Sequence, residues 1–296
     1  MNEVYRTLLE RLDAELRFLP DKPEENANTT LRALWHAAAG TPLSAEAAAE
    51  GELPELDAHG IESLRTLVER RTSGVPLAHI TGRQRFLDFE MLAGPEALVP
   101  RKETELLARE AIDIAKRLAA ERGTITTVDV CTGCGNVALA IARHVPGARV
   151  FGADLSEEAV ALAARNAAHL GFGERATFRA GDLLAPFDDE AFLGKVDMLT
   201  CNPPYISSGK VGQMAEEISA HEPRLAFDGG PFGVAILMRL LQDAPRFLKP
   251  GGWLAFEVGL GQGPAMLKRL QSAGVYHDLK PLEDSSGAIR ALAARV

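Results

Sequence analysis

Asn202-Pro203-Pro204-Tyr205 closes the apolar run Val196-Asp197-Met198-Leu199-Thr200-Cys201. Its residue types suit one chemical task, holding a planar nitrogen while it attacks an electrophile. The Asn carboxamide oxygen and the loop carbonyls accept hydrogen bonds from an NH2 group. Two prolines fix φ at about −65° and carry no N–H, which leaves a stiff loop rich in acceptors. The Tyr ring offers a flat face on which an amide or a base can stack. Alone, the tetrapeptide also reads as an ordinary turn. The elements around it decide its meaning.

From residue 124 onward apolar strands alternate with amphipathic helices, the pattern of a parallel sheet covered on both faces. A first strand, 125–130, runs into Cys131-Thr132-Gly133-Cys134-Gly135 and then a helix through Val137, Leu139 and Ile141. A second, 149–154, ends in Asp154, after which Ser156 caps a helix to Leu170. A third, 176–179, leads to Gly181-Asp182-Leu183, and a fourth ends at Asn202. A helix over 233–247, a strand over 253–258 and a helix over 264–272 follow. Strands near 276–281 and 288–295 are expected to complete the sheet as an antiparallel pair.

A strand, a glycine turn, a helix and an acid ending the next strand form a nucleoside-binding layout. The glycines let backbone N–H groups approach closely, and the acid accepts bonds from ribose hydroxyls. Asp154 lies 19 residues beyond Gly135. A dinucleotide calls for a fuller run of glycines than Gly133-x-Gly135. S-adenosylmethionine carries no phosphate, so a shorter turn and a ribose-binding acid suffice. Asp182 is then placed to bond the adenine amino group, with Leu183 packing on the ring. These loops are expected to share one crevice at the carboxyl ends of the strands.

The chain has 296 residues, 46% of them hydrophobic and 25% charged, which is ample for a packed core. The length suggests two domains. No apolar run approaches a membrane span, and the start lacks the regions of a signal peptide. Three cysteines make no disulfide framework, so a cytoplasmic setting is expected. A net charge of −9 argues against broad binding to DNA or RNA backbones. Residues 1–80 hold eight Lys/Arg and fourteen Asp/Glu. They read as helical: Val4 to Leu19 before Pro20, a second helix capped by Asn28 or Thr29, a third capped by Ser44, and a fourth through Ile61 and Val68. Residues 1–75 are thus expected to form a small acidic bundle that covers an enzyme core or grips a partner. Residues 76–102 form a hairpin linker, with Arg85–Met91 as one strand, Gly94-Pro95 as the turn and Ala97–Val99 as its return. Residues 103–296 form the second domain, opening with a helix from Glu103-Thr104-Glu105 to about Glu121.

At this point the chain resembles the HemK/PrmC-type protein-glutamine N5-methyltransferases over nearly its whole length. The resemblance rests on Pro76–Gly82 with Phe86, and on Leu98-Val99-Pro100-Arg101-Lys102-Glu103-Thr104-Glu105. It continues through the Asn-Pro-Pro-Tyr loop, Glu217-Ile218, Glu222-Pro223, Leu225–Gly230, and Leu254–Gly259 with Gln262. It implies an α/β fold, a Rossmann-like class I methyltransferase sheet with an N-terminal helical bundle. It also implies methyl transfer from S-adenosylmethionine to the glutamine amide of the Gly-Gly-Gln motif in peptide chain release factors. The release factor would be gripped by the bundle, and the enzyme is expected to be a monomer.

On this reading Asn202, Pro203, Pro204 and Tyr205 are catalytic. Cys131, Thr132, Gly133, Cys134, Gly135, Asp154, Asp182, Leu183 and Asn202 bind the cofactor. The departures are Lys102, Cys131, Cys134, Asn136, Leu183 and Ser207, where the family has other residues. A small-metabolite methyltransferase, a nucleic-acid amino-methyltransferase and a non-catalytic cofactor-binding module are the alternatives. Cys131-x-x-Cys134 with Cys201 lacks the fourth ligand of a structural zinc, so no metal is expected. His79 and His221 read as structural.

Overall fold

The computed structural model describes residues 3–213 and 215–296, and its contacts divide the chain into two units. One holds the residues up to Pro95 with Val99–Lys102 and Ala215–Glu222; the other holds Glu96–Leu98, the stretch beginning at Glu103, and Pro223–Val296.

In the first unit, helices Glu3–Glu15, Ala27–Ala38, Ala45–Glu50, Ala58–Thr72 and Leu77–Thr81 surround Leu8, Leu12, Leu31, Leu34, Trp35, Leu64 and Val68. The first helix stops at Glu15, short of Leu19. Pro20 disfavours the α conformation at the residue before it. Leu16 and Phe18 instead follow as non-helical chain that packs on the same core. The second helix begins earlier than expected, because Asn26 is its cap and not Asn28 or Thr29. Asn26 accepts from the backbone of Asn28 and Thr29, while Thr29 returns a bond to Asn26 N, a reciprocal box. Ser44 caps the third helix as expected.

The hairpin also differs. Its strands are β1 (Arg83–Phe86) and β2 (Phe89–Leu92), paired antiparallel through Phe86↔Phe89, so Arg85–Met91 folds back on itself. The turn is Leu87-Asp88, with Leu87 at φ 53. No Asn-Gly or Gly pair announces it, and a leucine in the left-handed region is rare. The Phe86 and Phe89 rings flank the turn edge to face, with centroids 6.2 Å apart.

Contacts place this hairpin with the helices, and Ala215–Glu222 with them. That segment brings two carboxylates into the unit. Glu217 accepts from Lys22 and Arg71 at 2.9 Å each, and Arg71 reaches Glu25 at 3.1 Å. Glu222 accepts from Arg101 at 2.6 Å and from Val99 N at 3.0 Å. Arg71, Glu25, Lys22, Arg101 and Glu222 are all buried.

The second unit is a seven-stranded sheet of β3 (Ile125–Val130), β4 (Ala148–Asp154), β5 (Ala176–Ala180), β6 (Val196–Cys201), β7 (Leu248–Glu257), β8 (His277–Glu283) and β9 (Ile289–Arg295). Its order is β5-β4-β3-β6-β7-β9-β8, parallel from β5 to β7 and antiparallel at β9 and β8. Every residue of β6 is buried, as expected of a central strand covered on both faces. Helices Thr104–Arg122, Asn136–His144, Glu157–His169, Ala235–Phe247 and Gly263–Ala273 accompany the sheet. Val128, Leu199, Leu240, Phe247, Leu254 and Phe256 belong to its core. Gly152 on β4 allows close contact: a Cβ there would lie 2.5 Å from the Phe178 ring.

Candidate functional site

Two loops meet where the strand order reverses. β4 lies on one side of β3 and β6 on the other, and ligands of open α/β sheets bind beyond the carboxyl ends at such a point. Val130 on β3 pairs in register with Cys201 on β6, which brings Cys131 and Asn202 to neighbouring strand ends.

The turn after β3 holds Cys131 at φ 55, Gly133 at φ 55 and Gly135 at φ 86. Positive φ at Cys131 strains a residue with a side chain, as happens at ligand-binding turns. Asp129 ties the turn from inside the protein. It is buried and accepts from Thr132 Oγ1 at 2.6 Å and Thr200 Oγ1 at 2.7 Å. Burial pushes its pKa up to about 6 against those hydrogen bonds. Asn166 Nδ2 donates to the Cys134 carbonyl at 3.0 Å. The side chains of Thr132 and Cys134 therefore face the interior, and burial pushes the Cys134 thiol up to about 12. A Cβ on Gly133 would meet nothing within 4 Å, so space is open before the turn.

Asp154 ends β4 as expected. Its Oδ2 accepts from Gly133 N at 2.9 Å and its Oδ1 from Ser156 N at 3.0 Å. Burial raises its pKa, and the Ser156, Gly133 and Leu155 backbone groups oppose the shift. Each oxygen keeps acceptor capacity for a hydroxyl. Beside it, Leu155 is 57% exposed, an apolar surface the sequence reading passed over. Leu183, at φ 50, sends its side chain into the core with Leu184 and Phe187. Asp182 is half-exposed and paired with Arg239 at 2.7 Å.

Pro203 and Pro204 are buried, while Asn202 and Tyr205 are partly accessible. Asn202 Nδ2 donates to Thr104 Oγ1 at 3.2 Å. The Tyr205 hydroxyl lies 3.0 Å from Glu103 Oε1 and 3.0 Å from Glu257 Oε1, and Arg290 holds Glu103 at 2.6 Å. Burial, and then the Glu257 and Glu103 charges, raise the Tyr205 pKa. Burial is also the main cause that lifts Glu257 to about 7; the Thr104 hydroxyl pulls it down and the Glu103 charge pushes it up. Gln262 Nε2 donates to the Tyr205 carbonyl at 3.0 Å, and its Oε1 accepts from Gly259 N at 2.9 Å. A Cβ on Gly229 would lie 2.4 Å from Pro204 O, and one on Gly233 would lie 2.1 Å from Tyr205 O. Only glycine admits such close backbone approach. Tyr205 is thus clamped at its hydroxyl and its carbonyl.

Thr104, Glu103, Glu257, Arg290, Gln262 and Asp129 carry no role in the sequence reading. A buried acid in the apolar strand Leu254–Val258 was the visible signal for Glu257, and the same holds for Asp129 in β3. His79 and His221 fall in the first unit. Among the described residues no group of three or more His, Cys, Asp or Glu is arranged to hold a metal ion, and no helix is long and apolar enough to cross a membrane.

Residues 121–276 match the family model described as a methyltransferase domain. The release factor glutamine methyltransferase of Geobacter sulfurreducens is 33% identical over 290 residues, covering 98% of this chain and 97% of the relative. Those of Bradyrhizobium diazoefficiens and Xylella fastidiosa are 34% identical over 277 residues and 37% over 226, with 89% and 78% of the relatives covered against 92% and 76% of this chain. Among solved structures, the hMettl16 catalytic domain in complex with a MAT2A 3'UTR hairpin aligns at TM-score 0.53 and 15% identity, over 82% of this chain and 83% of that one. The human methyltransferase 10 domain containing protein aligns at TM-score 0.51 and 19% identity, over 69% and 87%. These two likenesses carry the α/β methyltransferase fold alone. Near full-length similarity to curated relatives carries more: the chain is a methyltransferase and belongs to the release factor glutamine methyltransferase family.

Proposed function

We propose that this chain methylates the side-chain amide nitrogen of the glutamine in the Gly-Gly-Gln motif of peptide chain release factors, acting in the cytoplasm, with the cofactor and acceptor residues assigned below. The observation that carries the site assignment is the juxtaposition at one topological switch point of the Gly133–Asp154 turn and the Asn202 loop.

The residues present fit S-adenosylmethionine. Open space before Gly133, an acid with acceptor capacity at Asp154 and the exposed Leu155 suit an uncharged nucleoside end without phosphates. Backbone groups of Cys131 to Gly135 would hold it, Asp154 would accept its ribose hydroxyls, and Leu155 would lie against the base. When bound, the cofactor supplies an electrophilic methyl on a sulfonium.

The chain's own part is alignment. With its nitrogen donating to Thr104, Asn202 keeps its carboxamide oxygen for the acceptor NH2, and the Pro203 carbonyl offers a second acceptor. Two such bonds aim the amide nitrogen and favour the more positive nitrogen of the transition state. An amide is a poor nucleophile, so orientation and exclusion of water supply most of the rate. The proton leaves to solvent.

Incubation with S-adenosylmethionine and a release factor, followed by peptide mass spectrometry, tests the reading. One methyl on the Gly-Gly-Gln glutamine is expected, and an unmodified glutamine with folded, cofactor-loaded enzyme rejects it. Asp154→Ala is expected to weaken cofactor affinity about 10-fold to 100-fold by calorimetry, the worth of charge-assisted hydrogen bonds. Unchanged affinity would remove Asp154 from the site.

A further inference from the structure

Among the described residues five large apolar side chains stand exposed: Leu155, Leu225, Phe232, Leu260 and Val275. Single surface leucines need no explanation, but these gather in one part of the fold. Leu155 follows β4, Leu225 and Phe232 follow β6, and Leu260 follows β7, so four of the five lie on loops at the carboxyl ends of parallel strands. Val275 instead precedes a strand, β8. Leu155 has an occupant in the base of the proposed cofactor. Phe232 is 84% exposed and Leu260 73%, and the cofactor reading uses neither.

Both sit on β-turns. Gly233 N donates to Gly230 O at 3.1 Å across Gly230-Pro231-Phe232-Gly233, and Gln262 N donates to Gly259 O at 2.9 Å across Gly259-Leu260-Gly261-Gln262. Turns favour Gly, Pro, Asn, Asp and Ser, so a phenylalanine and a leucine stand there against turn chemistry. Neither turn is loose. Pro231 fixes φ in the first. The Gln262 side chain ties the two turns together: its Oε1 accepts from Gly259 N at 2.9 Å, and its Nε2 donates to Gly233 O at 3.3 Å and to Tyr205 O at 3.0 Å.

The turns also press on the acceptor loop. A Cβ on Gly233, next to Phe232, would lie 2.1 Å from Tyr205 O. One on Gly259, next to Leu260, would lie 3.0 Å from Tyr205 Cδ2. Each exposed side chain is thus one residue away from backbone packed on Tyr205.

We propose that Phe232 and Leu260 form an apolar grip for the acceptor protein, seated on the residues that flank its methylated glutamine. This rests on the release factor acceptor proposed above. The occupant follows from the place. A glutamine that reaches Asn202 brings its own chain past the loops after β6 and β7, and both are braced to Tyr205. The glycines before that glutamine have no side chain to bury, so the apolar contact comes from residues beyond the motif. A free glutamine, with no chain on either side, has nothing to lay on the two turns. An aromatic anchor on a braced turn suits a polypeptide partner, because little of it is left to order on binding.

The grip acts on binding and leaves the chemistry to the Asn202 loop. Calorimetry of cofactor-loaded enzyme with a release factor, beside initial rates over a range of release factor concentration, tests this. Phe232→Ser and Leu260→Ser should each raise the release factor Kd and KM about 10-fold, the worth of burying one large apolar side chain, and the double variant about 100-fold. The kcat at saturation and the cofactor Kd should stay within about 2-fold, as expected when only uniform binding is lost. Phe232→Leu should keep most of the affinity, and Val275→Ser should change nothing. Phe232→Gln and Leu260→Gln keep the bulk of the side chains and give the same readout should a serine variant bind cofactor poorly.

Unchanged Kd and KM in variants that still methylate the release factor overturn the grip alone. A fall in kcat with KM unchanged overturns it in favour of a cover over the reacting groups. A wild-type dimer that the variants lose in sedimentation, with the release factor Kd unchanged, overturns it in favour of a second copy of this chain. If the wild-type chain leaves the Gly-Gly-Gln glutamine unmodified, the acceptor assignment fails and takes the grip with it.

Discussion

Replacing Asn202 by alanine is expected to lower kcat for methyl transfer about 100-fold or more, while cofactor affinity changes by less than about 3-fold. The size follows from the kind of interaction removed: an oriented dipole aimed at developing charge in a site sheltered from water, where one such group is worth about 100-fold to 1,000-fold. The proposed cofactor contacts run through the turn after β3 and through Asp154, which is held by Gly133 N and Ser156 N and not by Asn202. Pro203 and Pro204 are buried, and Tyr205 stays clamped by Glu103, Glu257 and Gln262. The loop should therefore keep its place when the carboxamide is gone. The measurement is a single-turnover rate beside a cofactor titration. A variant within about 3-fold of the wild-type rate would remove Asn202 from the chemistry, whatever its position.

Arg71→Met is expected to destabilise the helical unit by about 3–5 kcal/mol. Arg71 is 2% exposed and ties Glu25 at 3.1 Å to Glu217 at 2.9 Å. Removing the cation leaves the buried Glu25 and the partly buried Glu217 with Lys22 alone to answer them. The Lys22 and Arg71 charges hold the Glu217 carboxyl below its ordinary pKa against burial, while burial raises Glu25 above its own. Losing Arg71 should push both upward. Urea titration of the full chain reads the loss. A second variant, Glu25→Gln, Arg71→Met and Glu217→Gln combined, should recover part of it by taking the stranded charges away. If the single and triple variants are equally unstable, packing of the long Arg71 side chain outweighs its charge.

The same residues show where sequence legibility ends. Alternation of strands and helices announced the parallel sheet, because buried parallel strands are apolar throughout and helices carry a different period. Cys131–Gly135, Asp154 and the Asn202 loop were legible for a related reason. A tight turn needs glycine and a stiff loop needs proline, each stated within a few residues of chain, and the roles proposed for Asp154 and Asn202 follow from their chemistry at those strand ends. The Leu87-Asp88 turn was not legible, since a leucine at φ 53 is rare and no glycine or Asn-Gly pair announces it. The early cap at Asn26 was partly visible, because Thr29 stands three residues on and can return the bond. Leu183 read as a base-stacking residue from its place after Gly181-Asp182, yet its backbone at φ 50 carries it into the core.

Taken by itself, the sequence determined the fold class and the order of the loops at the strand ends, and it supplies the chemistry from which the acceptor role of Asn202-Pro203-Pro204-Tyr205 is proposed. All three follow from local period and turn chemistry. The tertiary structure decided which way that loop faces and what holds it there. Glu103, Thr104, Glu257, Gln262 and Arg290 come from four separate stretches of chain, and Tyr205 reaches Glu103 across 102 residues. It also decided that Ala215–Glu222 belongs with the helical unit, through ion pairs spanning 146 and 195 residues. Such bonds depend on strand register and buried charge pairing, which exist only once distant segments share a core.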